Sequence, residues 1–179
     1  MGLVLSLWNK LFQGEQEVKV IIVGLNNSGK TTTLYQLHLG TVVSTQPTIG
    51  SNVEEVQRGK VKFQCWDLGG QESLRKTWAT YYMNTQAVLL VVDSSERDRI
   101  NVVKKELKLM LSHEDLQQAV VLVLANKQDV KNAMKPAEIS EALGLHEIKG
   151  RPWHIQGACA LTGEGLNEGL EWVAQQLSP

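Results

Sequence analysis

The sequence predicts an α/β fold, with a mainly parallel sheet that is covered by helices on both faces. Short runs of β-branched and aliphatic residues alternate with segments of helical periodicity, which is typical of such a sheet. Three of these runs, at residues 18–23, 87–92 and 119–125, are almost entirely apolar, as strands buried on both sides are. With 179 residues and 42% hydrophobic content, we expect one domain with an ordinary core.

The other elements follow from local patterns. Helices are predicted at residues 30–39, 97–111, 136–143 and 166–177, and Gly40, Pro136 and Gly144 stand where helix ends favour them. Two antiparallel strands near residues 52–57 and 60–66 are joined by a turn at Arg58 and Gly59. Between the first helix and this hairpin, residues 41–50 have no sustained period and contain turn formers, which predicts a mobile loop over a ligand, the first switch segment.

Composition excludes several functional classes. The formal net charge is −1 and no block of Lys or Arg runs along the chain, so we expect no nucleic-acid partner. Cys65 and Cys159 are too few for a disulfide framework and are normal for a reduced cytosolic protein. The richest apolar run is far shorter than the roughly 20 residues that a transmembrane helix needs, so no membrane span is predicted.

A phosphate-binding loop follows the first strand and opens the first helix. Residues 24–31 read Gly-Leu-Asn-Asn-Ser-Gly-Lys-Thr, and glycines at these positions let backbone N–H groups point at phosphate oxygens. The backbone amides from Asn26 to Thr31 are expected to hold the β-phosphate, and the dipole of the helix that starts there favours anions. Lys30 is expected to reach the β- and γ-oxygens. The predicted cradle consists of Gly24, Asn26, Asn27, Ser28, Gly29, Lys30, Thr31 and Thr32.

Two further motifs predict a magnesium site and a hydrolytic site. The Thr31 hydroxyl is expected to ligate Mg²⁺, and Asp67 closes the metal site from the end of its strand, directly or through water. Thr48, in the string Pro47-Thr48-Ile49-Gly50, adds a ligand when a γ-phosphate draws the loop inward. In the string from Trp66 to Gln71, the Gly70 N–H contacts the γ-phosphate and Gln71 orients the attacking water. The predicted catalytic residues are Lys30, Thr48, Gly70 and Gln71.

The string Asn126-Lys127-Gln128-Asp129 predicts recognition of guanine. The Asp129 carboxylate accepts hydrogen bonds from the ring N–H and amine of guanine, whereas adenine would leave it desolvated and unpaired. Asn126 is expected to brace the loop, and Lys127 to lay its aliphatic stem over the base. In the pair Cys159-Ala160, the Ala160 N–H is expected to donate to the guanine carbonyl oxygen.

Two other interpretations remain open. A phosphate loop alone also suits ATPases and kinases, although Asp129 argues against an ATP-dependent enzyme. The stronger alternative is a nucleotide-gated binding module with negligible hydrolysis, in which Gln71 is idle. Residues 40–51 contain no Arg or Lys, so the chain lacks in this loop the cation that accelerates hydrolysis in related chemistry. We therefore expect slow hydrolysis without an activating protein.

Together these motifs resemble those of the ADP-ribosylation-factor-like (Arf-like) small GTPases over essentially the whole chain. The resemblance implies the α/β P-loop small GTPase fold, with a six-stranded, mostly parallel sheet, helices on both faces and a preceding amphipathic helix. Residues 50–55, 71–75, 153–156 and 161–165 look most like type-5 members. The resemblance implies a monomer that cycles between GTP and GDP with Mg²⁺, served by an exchange factor, a GTPase-activating protein and effectors. It also implies a cytoplasmic protein, reversibly membrane-associated, that acts in vesicle trafficking at the Golgi.

Two positions depart from the pattern of most relatives. Asn26 stands where the family usually has Asp, which removes a negative charge beside the γ-phosphate and is expected to alter nucleotide exchange or hydrolysis. Ser51 stands where most relatives carry a bulky aromatic that contacts effectors, although type-5 members share the smaller residue. We expect a different choice of partner.

Residues 1–16 are predicted to form an amphipathic, myristoylated membrane-binding segment ahead of a GTPase domain at residues 17–179. The start Met1-Gly2-Leu-Val-Leu-Ser6 fits the acceptor pattern for myristate on Gly2. Apolar residues recur at helical spacing, namely Val4, Leu7, Trp8, Leu11 and Phe12. One alternative is a helix that packs permanently on the core; another, implied by the resemblance, is a helix docked with GDP and released with GTP.

The second hairpin strand predicts an effector surface. Val61, Phe63 and Cys65 alternate onto one face, which leaves Trp66 on the polar face. Trp66 is also close in sequence to Gly70 and Gln71, which we expect to form a second switch that responds to the nucleotide. The predicted contacts, which match positions that the family uses, are Ile49, Ser51, Trp66, Trp78 and Tyr81. The alternative is that a helix covers Trp66 in every state.

Overall fold

A computed structural model describes residues 15–178, and six strands form one sheet in it. The order across the sheet is β2-β3-β1-β4-β5-β6, with β2 antiparallel to β3 and every other neighbouring pair parallel. The strands are β1 (Gln16–Val23), β2 (Ser51–Arg58), β3 (Val61–Leu68), β4 (Ala87–Asp93), β5 (Val120–Asn126) and β6 (Trp153–Gly157). The predicted six-stranded, mostly parallel sheet is confirmed.

Helices connect the strands on both faces. They are α1 (Lys30–Leu39), α2 (Glu72–Arg75), α3 (Ile100–Leu111), α4 (Pro136–Leu143) and α5 (Leu166–Leu177). Short 3₁₀ helices lie at Trp78–Tyr81, Arg97–Arg99, Glu114–Leu116 and Leu145–Glu147. In the described residues 15–178, no helix has the length and apolar character needed to cross a membrane.

The differences from prediction have local causes. The helix expected from Arg97 begins as a 3₁₀ turn and becomes α-helical only at Ile100, as helix starts often do. Strand β6 was not located by its residue pattern, because it is a short edge strand. Its five residues are all half-buried and mix apolar with polar side chains, so they form no apolar run. The predicted membrane-binding segment at residues 1–16 lies outside the described residues except for Glu15 and Gln16. Gln16 already belongs to β1.

Alternate side chains of the sheet feed two separate cores. From β1, Ile21 and Val23 pack on the face covered by α3 and α4, whereas Val20 and Ile22 pack on the face covered by α1 and α5. This alternation is the ordinary consequence of a strand buried on both sides. The sheet is thereby held rigidly between two helical layers.

The parallel register aligns the strand ends that carry the motifs. Ile22 of β1 pairs with Asp67 of β3, and Asp93 of β4 pairs with Asn126 of β5. The carboxyl ends of β1, β3, β4 and β5 therefore meet at one edge, which is where open α/β sheets bind ligands.

Candidate functional site

The loop between β1 and α1 is tightly folded and braced from β5. Gly29 has φ of 97°, and a Cβ there would come within 2.3 Å of Asn126 Nδ2. The Asn126 side chain, 1% exposed, donates from Nδ2 to the Ser28 carbonyl at 2.8 Å. Glycine is thus required by both backbone conformation and space. The buried Asn126 side chain therefore supports the loop through this hydrogen bond, the role expected of it from the sequence.

Lys30 begins α1 and brings a buried cation to the loop. Its side chain donates from Nζ to the Leu25 carbonyl at 3.0 Å. Burial lowers the pKa of Lys30 to about 8, opposed by the nearby Asp67 carboxylate and assisted by the Arg99 charge. A cation held away from water without a full counter-charge attracts an anion, and this arrangement suits the oxygens of a phosphate group.

Two hydroxyls converge on one carboxylate oxygen. Asp67 Oδ2 accepts from Thr31 Oγ1 at 2.5 Å and from Thr48 Oγ1 at 3.0 Å, and the two hydroxyl oxygens lie 3.0 Å apart. Asp67 is fully buried, and its other oxygen, Oδ1, has no hydrogen-bond partner. Burial raises the pKa of Asp67 despite these bonds and the Lys30 charge.

This oxygen cluster fits a hard divalent cation. An orphaned buried carboxylate oxygen and two hydroxyls are the oxygen ligands that Mg²⁺ prefers, and Mg²⁺ usually takes its remaining ligands from water and phosphates. Within residues 15–178, no group of three or more His, Cys, Asp or Glu side chains is placed to hold a metal. Thr31, Thr48 and Asp67 are therefore the residues that would hold Mg²⁺ together with a bound phosphate.

Gly70 packs directly against the phosphate loop. A Cβ on Gly70 would lie 2.5 Å from both the Gly24 carbonyl oxygen and Lys30 Nζ. The Gly70 carbonyl accepts from the Asn26 N–H at 3.1 Å. This bond corrects the expectation that the Asn26 amide serves the β-phosphate, because the protein itself uses that N–H.

A cleft of about 580 Å³ opens between the phosphate loop and residues 45–48, within the size range of small-molecule sites. Gln71 lies on its wall with an exposed side chain, beside Gly70. The lining residues are Asn26, Asn27, Gly29, Lys30, Thr31, Thr32, Thr45, Gln46, Pro47, Thr48, Gly70, Gln71 and Lys127. Thr45 and Gln46 are additions to the predicted set, since nothing in a loop without a period indicates which side chains face inward.

The residues expected to recognise the base are linked by hydrogen bonds of Cys159 to Asp129 and of Ala160 to Asn126, and Lys127 lines the cleft. Asp129 is exposed, and its Oδ1 accepts from the Cys159 thiol at 3.3 Å. The Lys127 ammonium lies 2.5 Å from Asp93 Oδ2, a nearly buried carboxylate that also accepts from Ser95. Hydrogen bonds from Lys127 and Ser95 lower the pKa of Asp93 against the opposing effect of burial.

Ala160 requires a correction. Its N–H donates to Asn126 Oδ1 at 2.9 Å, so the donor expected to serve the guanine carbonyl is engaged within the protein. Asn126 consequently bridges the phosphate loop, through Ser28, and the loop that carries Cys159 and Ala160.

The predicted effector residues do not form a single exposed surface. Ile49 is 89% exposed, and Ser51 is half-buried at the start of β2. Trp78 is 2% exposed and donates from Nε1 to the Gly69 carbonyl at 2.9 Å. Trp78 is therefore a correction: it packs beneath the Gly69-Gly70 segment in this conformation and is not available for direct docking.

Trp66 and Tyr81 form a half-buried pair beside Trp78. Their ring centroids lie 5.9 Å apart, and Lys19 Nζ sits 5.3 Å from the centre of the Trp66 ring. Lys19 also donates to the carbonyls of Tyr81 and Met83, at 2.6 and 2.9 Å. Sequence reasoning missed Lys19, because it lies on a strand far from Tyr81 in the chain.

Comparison with known proteins decides the family. The sequence profile described as "ADP-ribosylation factor family" matches residues 4–177. The chain belongs to the ADP-ribosylation factor family. As a member of this family it is a small GTPase, which hydrolyses GTP to GDP and phosphate.

Relatives of this family match the chain at nearly full length. The chain is 57% identical over 177 residues to human ADP-ribosylation factor-like protein 5A, covering 99% of this chain and 98% of the relative. It is 53% identical over 178 residues to ADP-ribosylation factor-like protein 5 of Dictyostelium discoideum, covering 99% and 97%. These matches confirm the resemblance to type-5 Arf-like proteins.

A solved structure supports the fold. The Arl6 BBS3 small GTPase from Trypanosoma brucei, described with the bound nucleotide analogue GppNp, is similar with a TM-score of 0.83 and 38% sequence identity. The similarity covers 89% of this chain and 96% of that chain. The Arf-like GTPase fold therefore extends over the described sheet and helices.

Proposed function

We propose that this Arf-family GTPase is a Mg²⁺-dependent switch in which the γ-phosphate of GTP orders residues 40–51 and the segment that follows β3. The observation that carries the proposal is the meeting of Thr48 with Thr31 and Asp67, at 3.0 Å in both contacts. Thr48 belongs to the loop, whereas Thr31 and Asp67 belong to the rigid α1 and β3. A ligand that bridges these oxygens would hold the loop in place, and its loss would free the loop.

Binding of the triphosphate is assigned to the buried cation and the loop amides. Lys30 balances charge on the β- and γ-phosphates, and the N–H groups of Asn27, Gly29, Lys30 and Thr31 donate to the remaining oxygens at the start of α1. The Ser28 N–H is not included, because it donates to the Leu25 carbonyl at 3.3 Å. When bound, Mg²⁺ would neutralise charge on the β- and γ-oxygens. Asp129 selects guanine, and Lys127, fixed through Asp93, covers the base.

Hydrolysis is assigned to the residues that follow β3. The Gly70 N–H donates to a γ-oxygen, and the exposed Gln71 amide orients the attacking water towards the γ-phosphorus, in line with the oxygen that leaves with GDP. No Arg or Lys occurs at residues 40–51 to stabilise the charge of the transition state. An activating protein is therefore the expected source of such a cation.

Single-turnover hydrolysis of radiolabelled GTP tests this assignment. We expect the isolated chain to hydrolyse GTP at about 10⁻³ s⁻¹ or slower, as GTPases without an arginine in cis do. Gln71→Leu should slow the reaction at least about tenfold, because leucine cannot orient water. Gln118→Leu, at an exposed position away from the cleft, is the matched control.

The two failures have different meanings. A fast reaction by the isolated chain would contradict the need for an activating protein. An unchanged rate with Gln71→Leu would remove Gln71 from the hydrolytic site and would favour the nucleotide-gated binding module.

We further propose that the GTP-bound form is recruited to a membrane and there collects effectors for vesicle trafficking, with the Golgi as the expected site. Myristate on Gly2 would give only marginal attachment, with a partition constant of about 10⁴ M⁻¹, so the apolar residues from Val4 to Phe12 would act as the second anchor. Exposed Ile49 and the pair Trp66 and Tyr81 flank the nucleotide-sensitive segments and are the proposed effector contacts. An exchange factor and an activating protein complete the cycle.

Co-sedimentation with liposomes tests the membrane proposal. The acylated full-length chain should pellet several-fold more when loaded with a non-hydrolysable GTP analogue than when loaded with GDP, because release of the amino-terminal segment adds apolar area to the lipid anchor. Gly2→Ala, which cannot be myristoylated, should lose most of the pelleting in both states. Equal pelleting of the acylated chain with both nucleotides would refute coupling between nucleotide and membrane.

A further inference from the structure

We propose that Arg99 is a positioning residue of the GTPase site, which acts through Asn26 to hold Gly70 at the γ-phosphate position. The inference rests on the proposed function of Gly70. It assigns a role to a side chain that lies outside every motif of the sequence. Its consequence is that Arg99 contributes to the preference for triphosphate over diphosphate.

Arg99 makes two hydrogen bonds to one residue of the phosphate loop. Its Nη2 donates to Asn26 Oδ1 at 2.6 Å, and its Nη1 donates to the Asn26 carbonyl at 3.2 Å. Glu96 holds the same guanidinium from the other side, with Oε2 at 2.9 Å from Nη1. A planar guanidinium in contact with both the side chain and the backbone of one residue fixes the orientation of that residue.

Asn26 passes this restraint to the segment after β3. Its N–H donates to the Gly70 carbonyl at 3.1 Å. Gly70 is so close to the loop that a Cβ would lie 2.7 Å from Asn26 N and 2.5 Å from Lys30 Nζ. A continuous path of hydrogen bonds therefore leads from Arg99, at the end of the Arg97–Arg99 helix, to the residue proposed to sense the γ-phosphate.

The amide at position 26 leaves the charge of Arg99 in place. Asn26 is uncharged, so it accepts a hydrogen bond from the Arg99 guanidinium without neutralising the charge of that group. Among the described residues, Glu96 is the only carboxylate that pairs with this guanidinium. A more positive loop attracts the additional charge of a triphosphate, so the electrostatic and the geometric effects of Arg99 have the same sign.

Release of fluorescent GDP and of a fluorescent non-hydrolysable GTP analogue from the full chain tests the inference. Arg99→Ala should speed release of the triphosphate analogue about tenfold, the loss expected for hydrogen bonds to a charged group. GDP release should change less than about threefold, since GDP has no group at Gly70. Arg99→Lys should restore part of the difference, because lysine keeps the charge and one donor.

A double-mutant cycle separates positioning from a general loss of structure. If Arg99 acts through Asn26, then Asn26→Ala should also speed release of the triphosphate analogue, and the double variant should be no faster than the faster single variant. Arg97→Ala is the matched control, because Arg97 lies in the same turn but pairs with the exposed Glu138 at 3.2 Å. It should leave both release rates unchanged.

The outcomes are distinguishable. Equal acceleration of both nucleotides by Arg99→Ala, or effects of Arg99→Ala and Asn26→Ala that multiply, would overturn the inference while the proposed function stands. If the wild-type chain binds neither guanine nucleotide in the presence of Mg²⁺, the proposed function fails and the inference fails with it.

Discussion

Gly70→Ala is expected to reduce GTP hydrolysis by about 10²-fold or more, the loss that follows when a reacting group is displaced by about 1 Å. The added methyl group would lie 2.5 Å from the Gly24 carbonyl oxygen and from Lys30 Nζ. Lysine could swing aside, but the Gly24 and Asn26 backbone atoms cannot. The segment after β3 must then move away from the phosphate loop and take Gln71 with it.

The same substitution should separate the two nucleotides. Affinity for a non-hydrolysable GTP analogue should fall towards that for GDP, whereas GDP affinity should stay close to that of the wild type. Gly150→Ala is the control for a methyl group added away from the cleft, since no atom lies within 4 Å of the place that its Cβ would take. Alanine at the positive φ of 74° strains the backbone at Gly150 itself, but Gly150 does not line the cleft. Normal hydrolysis by Gly70→Ala would show that close packing of Gly70 on the loop is not needed for the reaction.

Asp129→Asn should lower the affinity for GTP by about 10²-fold or more, because two hydrogen bonds to a charged acceptor are lost or weakened. The carboxylate accepts from two donors of guanine, whereas an amide offers one acceptor and one donor. Xanthine carries a carbonyl where guanine carries its amine, so the substituted amide can donate to it. Affinity for the xanthine nucleotide should therefore rise as that for GTP falls.

Competition between GTP, ATP and the xanthine nucleotide for a fluorescent guanine analogue measures this exchange. Asp115→Asn, an exposed carboxylate in the Glu114–Leu116 helix, should change none of the three affinities. If Asp129→Asn weakened all nucleotides alike, Asp129 would hold the loop rather than select the base. Tight ATP binding by the wild type would instead favour an ATP-dependent enzyme.

Much of the fold was predictable because its strands are buried on both faces. Continuous apolar runs locate β1, β4 and β5 to within two residues at each end, and Gly40, Pro136 and Gly144 mark helix ends that the structure reproduces. Strand β6 and the short α2 were not located, since half-buried edge residues and a four-residue helix give no clear period. Their places are set by contacts with the rest of the sheet.

The chemical types of the site residues follow from the sequence, because phosphate, magnesium and guanine each demand particular groups in a fixed order along the chain. Lys30, Asp67 and Gln71 needed no coordinates to be selected. Whether a predicted donor is free was decided only by tertiary structure: the amides of Asn26 and Ala160 are engaged by Gly70 and Asn126.

Residues distant in the chain were also beyond the reach of sequence patterns. Arg99 meets Asn26 across 73 positions, and Lys19 meets Tyr81 across 62. Trp78 was expected at the surface because it is near the switch in sequence, yet packing buries it under Gly69. The order of residues along the chain determined which chemical groups this protein brings to its site. Burial and long-range hydrogen bonds determined which of those groups remain available, because they depend on how the sheet brings its strand ends together.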